Sequence, residues 1–336
     1  MSTEKSLRAA REASLLKFSS TSLTILTAFS LLTRQKISEK FLRTKMINYA
    51  FWGSDDFSIL VLEELVQAGY PSSLIVTMPD RPAGRAHKLT PPPLKEWALA
   101  HGVPFIQPEN LADTECREFQ TLGVCLFIVA SYGKIIPEAV FNIPERGAVN
   151  IHPSLLPRYR GATPIEGAIL GGAPLTGVTV MRIDAKMDHG AIIAQKEVPL
   201  RGDEWYPELA EKLAHEGGKL LASVLPAVAD GTAQETPQDE IKATYTKMIK
   251  KEDGFVNLAD DSELNFRKIR AYEPWPRTFF TITHKGKKSR VVIIAAHREG
   301  RGLSIDRVIP EGGREMSYQD FLRGYGDLSI MRGKIS

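Results

Sequence analysis

The chain has 336 residues, 43% of them hydrophobic and 25% charged, with a formal net charge of +3. That content excludes a disordered chain, and its 26 Gly and 21 Pro follow no collagen period. Two cysteines, Cys116 and Cys125, support neither a disulfide framework nor a Cys-rich zinc site, so a reducing compartment is the default. At roughly 100–200 residues per domain the length suggests two domains.

Charge is unevenly spread. Residues 1–45 carry nine Lys/Arg against three Asp/Glu, and residues 241–336 carry 19 against 12, leaving the middle acidic at −10. A basic C-terminal block on an acidic body suits a polyanionic partner, although solvated basic faces are common. No run reaches the roughly 18–20 apolar residues of a membrane span.

Residues 1–45 are Ser-rich and acid-poor, with a short apolar run at Leu23–Leu32. They read as an N-terminal extension, disordered or upstream of the native start, because Met46 opens a strong strand. A transit peptide is the competing reading. From there short apolar runs alternate with amphipathic ones. Strands are expected at Ile47–Trp52, Leu74–Met78, Pro104–Ile106 and Val124–Ala130, with helices at Phe57–Ala68, Leu94–Ala100 and Asp113–Thr121. This βαβα rhythm predicts an α/β fold, a doubly wound and mostly parallel sheet. Thr176–Arg182 and Ala191–Val198 are spaced as a hairpin, and Tyr206–Ala229 reads as a long helix. The division expected is a first domain at 46–230, a polar linker at 231–240, and a smaller domain at 241–328 whose β-rich runs, such as Thr278–Thr283 and Arg290–Ala295, suggest a small barrel or sandwich.

After the first strand stands Gly53-Ser54-Asp55-Asp56-Phe57 rather than G-x-G-x-x-G, and no P-loop Lys-Ser/Thr pair occurs. A nucleotide enzyme is therefore disfavoured. A ligand is expected at the C-terminal ends of the strands.

The most informative stretch is Gly147–Gly161, GAVNIHPSLLPRYRG. Asn150 and His152 lie two apart on a strand, so both side chains take one face. An amide donor beside an imidazole is a plausible oxyanion site for acyl transfer, and Asp188 offers a carboxylate to orient or charge the ring. The plain alternative is that Asn150 and His152 cap a turn and that Asp188 precedes Gly190 in another. Trp275, between two prolines, is expected to anchor the C-terminal core, and His189 to lie on the surface. No His/Asp/Glu set shows a metal spacing, so no metal is expected.

The run NIHPSLLPRYRGATPI, with Met187-Asp188-x-Gly190 downstream, resembles the signature of the 10-formyltetrahydrofolate-dependent formyltransferases. That resemblance implies an Asn, His, Asp triad at Asn150, His152 and Asp188. Asn150 would hold the formyl oxygen, and a charged His152, kept protonated by Asp188, would stabilise the oxyanion. It implies folate contacts at Ser154, Leu155, Leu156 and Pro157, and a pterin pocket lined by Ser131, Tyr132 and Gly133 in the SYGKIIP segment. Pro79–Lys88 (PDRPAGRAHK) resembles the basic loop of the branch that formylates methionyl initiator tRNA, which puts Arg81, Arg85 and Lys88 on the tRNA. Further matches run through Pro237-Gln238, Ala243-Thr244-Tyr245 and Ile269-Arg270-Ala271 to Gly324, and imply that the second domain is an OB-like barrel. Only Ala296–Ser304 joins its last strands, so that barrel is expected to be abbreviated. The family implies 10-formyltetrahydrofolate as formyl donor, initiator methionyl-tRNA as partner, no membrane, a monomer, and a bacterial-type cytoplasm, or an organelle if 1–45 is a transit peptide. Formyl transfer to an amino sugar nucleotide or other small amine is the alternative activity, and tRNA binding without catalysis the alternative class.

Overall fold

A computed structural model describes residues 47–83, 87–111, 119–284, 286–300 and 302–325. The N-terminal extension, Arg85, Cys116 and most of the helix expected at Asp113–Thr121 lie outside these residues.

The first half of the chain alternates strand and helix as its apolar runs require. The order is β1 (Tyr49–Trp52), α1 (Asp56–Gln67), β2 (Leu74–Val76), β3 (Arg81–Ala83), β4 (Lys88–Thr90), α2 (Pro93–His101), β5 (Phe105–Ile106), β6 (Leu126–Val129), α3 (Glu138–Phe141) and β7 (Ala148–His152). Then come β8 (Arg160–Gly161), α4 (Pro164–Leu170), β9 (Leu175–Arg182), β10 (Ile192–Pro199) and α5 (Tyr206–Asp230). The remainder holds β11 (Tyr245–Thr246), α6 (Ser262–Ala271), β12 (Phe279–His284), β13 (Lys287–Glu299), β14 (Gly302–Pro310), β15 (Met316–Ser317) and α7 (Tyr318–Tyr325).

Seven strands form one sheet in the order β10-β9-β7-β6-β1-β2-β5. The pairs from β7 to β5 are parallel, while β9 runs antiparallel to both β7 and β10. Helices cover both faces, so β1 is buried at every residue. Its side chains alternate between two cores. Tyr49 and Phe51 pack with Leu62, Leu65 and Leu225, and Ala50 and Trp52 with Phe119, Phe127 and Tyr132. Asp55 starts α1 by accepting from the Ser58 N–H, a cap that satisfies one of the four donors a helix N-terminus leaves unmet. The order of connection reverses between β1 and β6, which is where a doubly wound sheet opens a crevice at its C-terminal edge.

Past Asp230 the chain crosses back over the sheet region. Thr236 and Ile192 exchange two backbone hydrogen bonds at 2.8 Å, and β11 pairs in parallel with β8. A separate antiparallel sheet, β12-β13-β14-β15, follows. Its core is Phe280, Ile282, Val291, Ile293, Val308 and Phe321. No ladder among the described residues joins β12 to β15. Ala296–Ser304, expected as a connection, instead continues both strands to a tight hairpin at Glu299 and Gly302. Trp275 does not anchor this core: it is 59% exposed, and Phe321 fills the interior.

Candidate active site

Strand alternation does place Asn150 and His152 on one face of β7, with His152 buried and Asn150 half-buried. Val129 of β6 pairs with Asn150, so Ser131–Gly133 leave the sheet beside it. Asp188 lies in the turn between β9 and β10, which folds back to bring Oδ1 to 3.8 Å from His152 Nδ1. The fold thus brings His152 and Asp188 together from distant points of the sequence, which spacing alone could not settle.

His152 Nε2 lies 3.0 Å from the Tyr159 carbonyl oxygen. A carbonyl only accepts, so Nε2 carries a proton, and in the neutral ring Nδ1 keeps the lone pair on the side of Asp188. Burial holds the imidazole below its ordinary range, outweighing Asp188 and the Tyr159 carbonyl, which both favour the cation. This pull toward the neutral ring runs against the standing imidazolium that the resemblance implies, and favours a ring that can accept a proton. Asp188 is fixed by the Gly161 N–H, which donates to its Oδ2 at 2.7 Å.

The Ser154–Pro157 loop is braced from the sheet. Ser154 donates to the Arg158 carbonyl at 2.6 Å, and Thr179 Oγ1 donates to the Ser154 carbonyl at 2.6 Å. The Leu156 N–H donates to Thr179 Oγ1 at 3.2 Å, and Gln195 donates to the Leu156 carbonyl at 2.8 Å. Leu155 packs over Gly177, and Pro157 accepts from the Thr244 N–H at 3.2 Å. On the neighbouring strand end, the Ser131 hydroxyl donates to Asp55, Tyr132 is buried edge-on against Trp52, and Gly133 turns at φ 87°. Asn150 makes no side-chain hydrogen bond among the described residues, so its carboxamide is available to a ligand.

Arg81 and Lys88 stand exposed on the β3–β4 hairpin. Arg81 pairs with Thr90 and Ala83 with Lys88, so both cations project from one face. Arg81 also lies 3.9 Å from Glu109. Among the described residues no His/Cys/Asp/Glu group could hold a metal ion.

Several residues of the site escape sequence reasoning. Arg160 is fully buried yet bonded to Gln238, Glu240 and Tyr245, and nothing in its arginine-rich surroundings marks it as internal. Glu166, at the start of α4, has its carboxyl pushed up to about 7 by burial. Burial also raises Asp55. His189, expected on the surface, is half-buried, with Asp184 at 2.6 Å and Glu240 at 3.5 Å.

Residues 46–225 match the formyl transferase family, and residues 248–302 the formyl transferase C-terminal domain. The methionyl-tRNA formyltransferase of Geobacillus thermodenitrificans is 36% identical over 304 residues, covering 84% of this chain and 95% of that one. The chain belongs to the methionyl-tRNA formyltransferase family. Within that family the protein of Chloroflexus aggregans is 48% identical over 230 residues, 68% of this chain and 74% of that one. Among solved structures, the methionyl-tRNA formyltransferase of Clostridium thermocellum superposes with a TM-score of 0.54 at 16% identity, over 81% of this chain and all of that one. HypX from Aquifex aeolicus in complex with tetrahydrofolic acid gives a TM-score of 0.60 at 15% identity, over 84% of this chain and 48% of that one. These likenesses show the shared fold. Formyltransferases of this family use folate-derived formyl donors, and among the described residues no helix is long and apolar enough to cross a membrane.

Proposed function

We propose that the protein transfers the formyl group of 10-formyltetrahydrofolate to the α-amino group of methionine on initiator tRNA. The reading rests on the family and on one observation: a buried imidazole whose Nδ1 faces a carboxylate at 3.8 Å, on the same strand face as an unpartnered carboxamide. The folate supplies a formyl carbon already activated on N10. The loops would line its site, because Ser154–Pro157 and Ser131–Gly133 leave adjacent strand ends and are held in place by Thr179, Gln195 and Asp55.

In the reaction Asn150 donates to the formyl oxygen as the neutral amine attacks the formyl carbon. His152 Nδ1 accepts the proton that the amine releases, and Asp188 stabilises the resulting imidazolium. The ring returns the proton to the folate nitrogen as its bond to the formyl carbon breaks, so no net charge accumulates. Arg81, Arg85 and Lys88 would meet tRNA phosphates. Residues 46–230 would form the catalytic domain and 241–328 an abbreviated OB-like barrel with a basic face to the tRNA. A monomer with no metal, in a bacterial-type cytoplasm, completes the reading.

Formyl transfer to charged initiator and elongator methionyl-tRNA tests the reading. Strong preference for the initiator supports it. Transfer to a small amine without tRNA would replace it with the amino sugar alternative.

A further inference from the structure

Gln238 belongs to no helix or strand, yet its carboxamide is gripped from both sides. Arg160 Nε and Nη2 donate to its Oε1 at 3.0 and 2.7 Å. Its Nε2 donates to the carbonyl oxygens of Asp188 and Gly190 at 2.9 and 2.8 Å. Chemistry fixes this orientation, since a guanidinium only donates and backbone carbonyls only accept. Arg160 is itself immobilised, with Nη2 and Nη1 donating to Glu240 Oε1 and Oε2 at 2.6 and 3.0 Å, and Nη1 to the Tyr245 hydroxyl at 3.1 Å.

The turn that Gln238 grips needs outside support. Asp188 has φ 49°, a left-handed conformation that costs a residue with a Cβ, so the turn persists only where its surroundings over-determine it. His189 is tied to Asp184 and Glu240, and two contacts act on the backbone and carboxylate at Asp188 itself: the Gly161 N–H on the carboxylate and Gln238 on the carbonyls either side of His189. We propose that Gln238, anchored by Arg160, is a positioning residue for formyl transfer, clamping the Asp188–Gly190 turn so that the Asp188 carboxylate stays at His152. The segment that leaves α5 toward the C-terminal sheet thereby becomes part of the active site. This inference rests on the reading of Asp188 as the partner of His152.

The test compares Gln238→Glu, Asp188→Asn and the double variant of the full chain, measuring kcat, both KM values and Tm. The Q238E carboxylate still accepts from Arg160 but turns an oxygen toward the two carbonyls, so the anchor survives and the clamp does not. The expected result is a roughly ten- to hundredfold fall in kcat with little change in either KM, as a displaced catalytic group produces. In the D188N background the same change should cost almost nothing more, because the group it positions no longer acts. Normal kcat in Q238E beside an impaired D188N overturns the clamp alone. An equal loss in both backgrounds also overturns it, since that marks a structural role. Full activity in D188N overturns the reading of Asp188 and the clamp with it. If Q238E does not fold, Gln238→Met, which is close in volume, removes the clamp together with the acceptor for Arg160, and the loss in kcat should again nearly vanish in the D188N background.

Discussion

At the scale of single residues, the site is governed by what burial does to ionisable groups. His152 is sealed between a carboxylate and a peptide carbonyl, and desolvation outweighs both, so the neutral ring prevails at pH 7. Activity should therefore fall on the acid side as His152 is protonated, at a pH below the usual histidine midpoint. Asp188→Asn should move that limb further down and lower the plateau, a result readable from kcat across pH. A limb that stays in place would mean that Asp188 does not act on the ring. Glu166 gives a stability prediction with the opposite sign. Its carboxyl titrates at about 7 when folded, against 4.5 as its ordinary value. The folded state thus holds an extra proton between these values, and stability falls as pH rises through that window. Glu166→Gln should raise stability by about 1–3 kcal/mol at pH 8 and leave it nearly unchanged at pH 4, measured as Tm at the two pH values.

At the scale of elements, one threonine on β9 holds the candidate folate loop in place. Thr179 Oγ1 serves the Ser154 carbonyl, the Leu156 N–H and Gln195 at once. Thr179→Val keeps the shape but takes the partner from the Leu156 N–H and the Ser154 carbonyl, while Gln195 keeps its bond to the Leu156 carbonyl, at a cost of about 1–3 kcal/mol for the buried groups. The KM for 10-formyltetrahydrofolate should rise while affinity for tRNA holds; an unchanged folate KM would remove the loop from the folate site. The β8–β11 pairing is equally sharp. Gly161 sits at φ 106°, and a Cβ there would meet the Thr246 carbonyl oxygen at 2.6 Å. Gly161→Ala should lower Tm and loosen the N–H that holds Asp188. Braces of this kind are not legible in a sequence. β1, α1, β2, α2, β6 and α5 can be read from periodicity because their apolar runs are buried, and the β9–β10 hairpin from its spacing, whereas the exposed β3–β4 hairpin, read as a loop, carries no such signal. Two-residue strands such as β8 and β11 have no period to read, and they form only because distant segments meet. The same reason hides Arg160 and Gln238: a single sequence marks them as polar and gives no sign that the arginine is wholly enclosed. Trp275 departs from expectation because apolar character alone does not decide burial, and Phe321 already fills that core.

At the scale of the whole molecule, the basic C-terminal block, set against an acidic middle, suits a polyanionic partner, and the cations of the β3–β4 hairpin add to it from within the acidic part. Arg81 and Lys88 share a face of the β3–β4 hairpin and are both exposed. Neutralising them with Arg85 should weaken tRNA binding and flatten its salt dependence, by about one unit of slope for each phosphate left without its cation, while folate binding stands. The most direct test of the account is single-turnover formyl transfer to methionyl initiator tRNA by His152→Ala, with binding of both substrates and Tm measured alongside. The account predicts a rate lowered by roughly a hundred- to ten-thousandfold, as the loss of a general base produces, with the fold and both affinities retained. A folded His152→Ala protein that transfers formyl at the normal rate would contradict it.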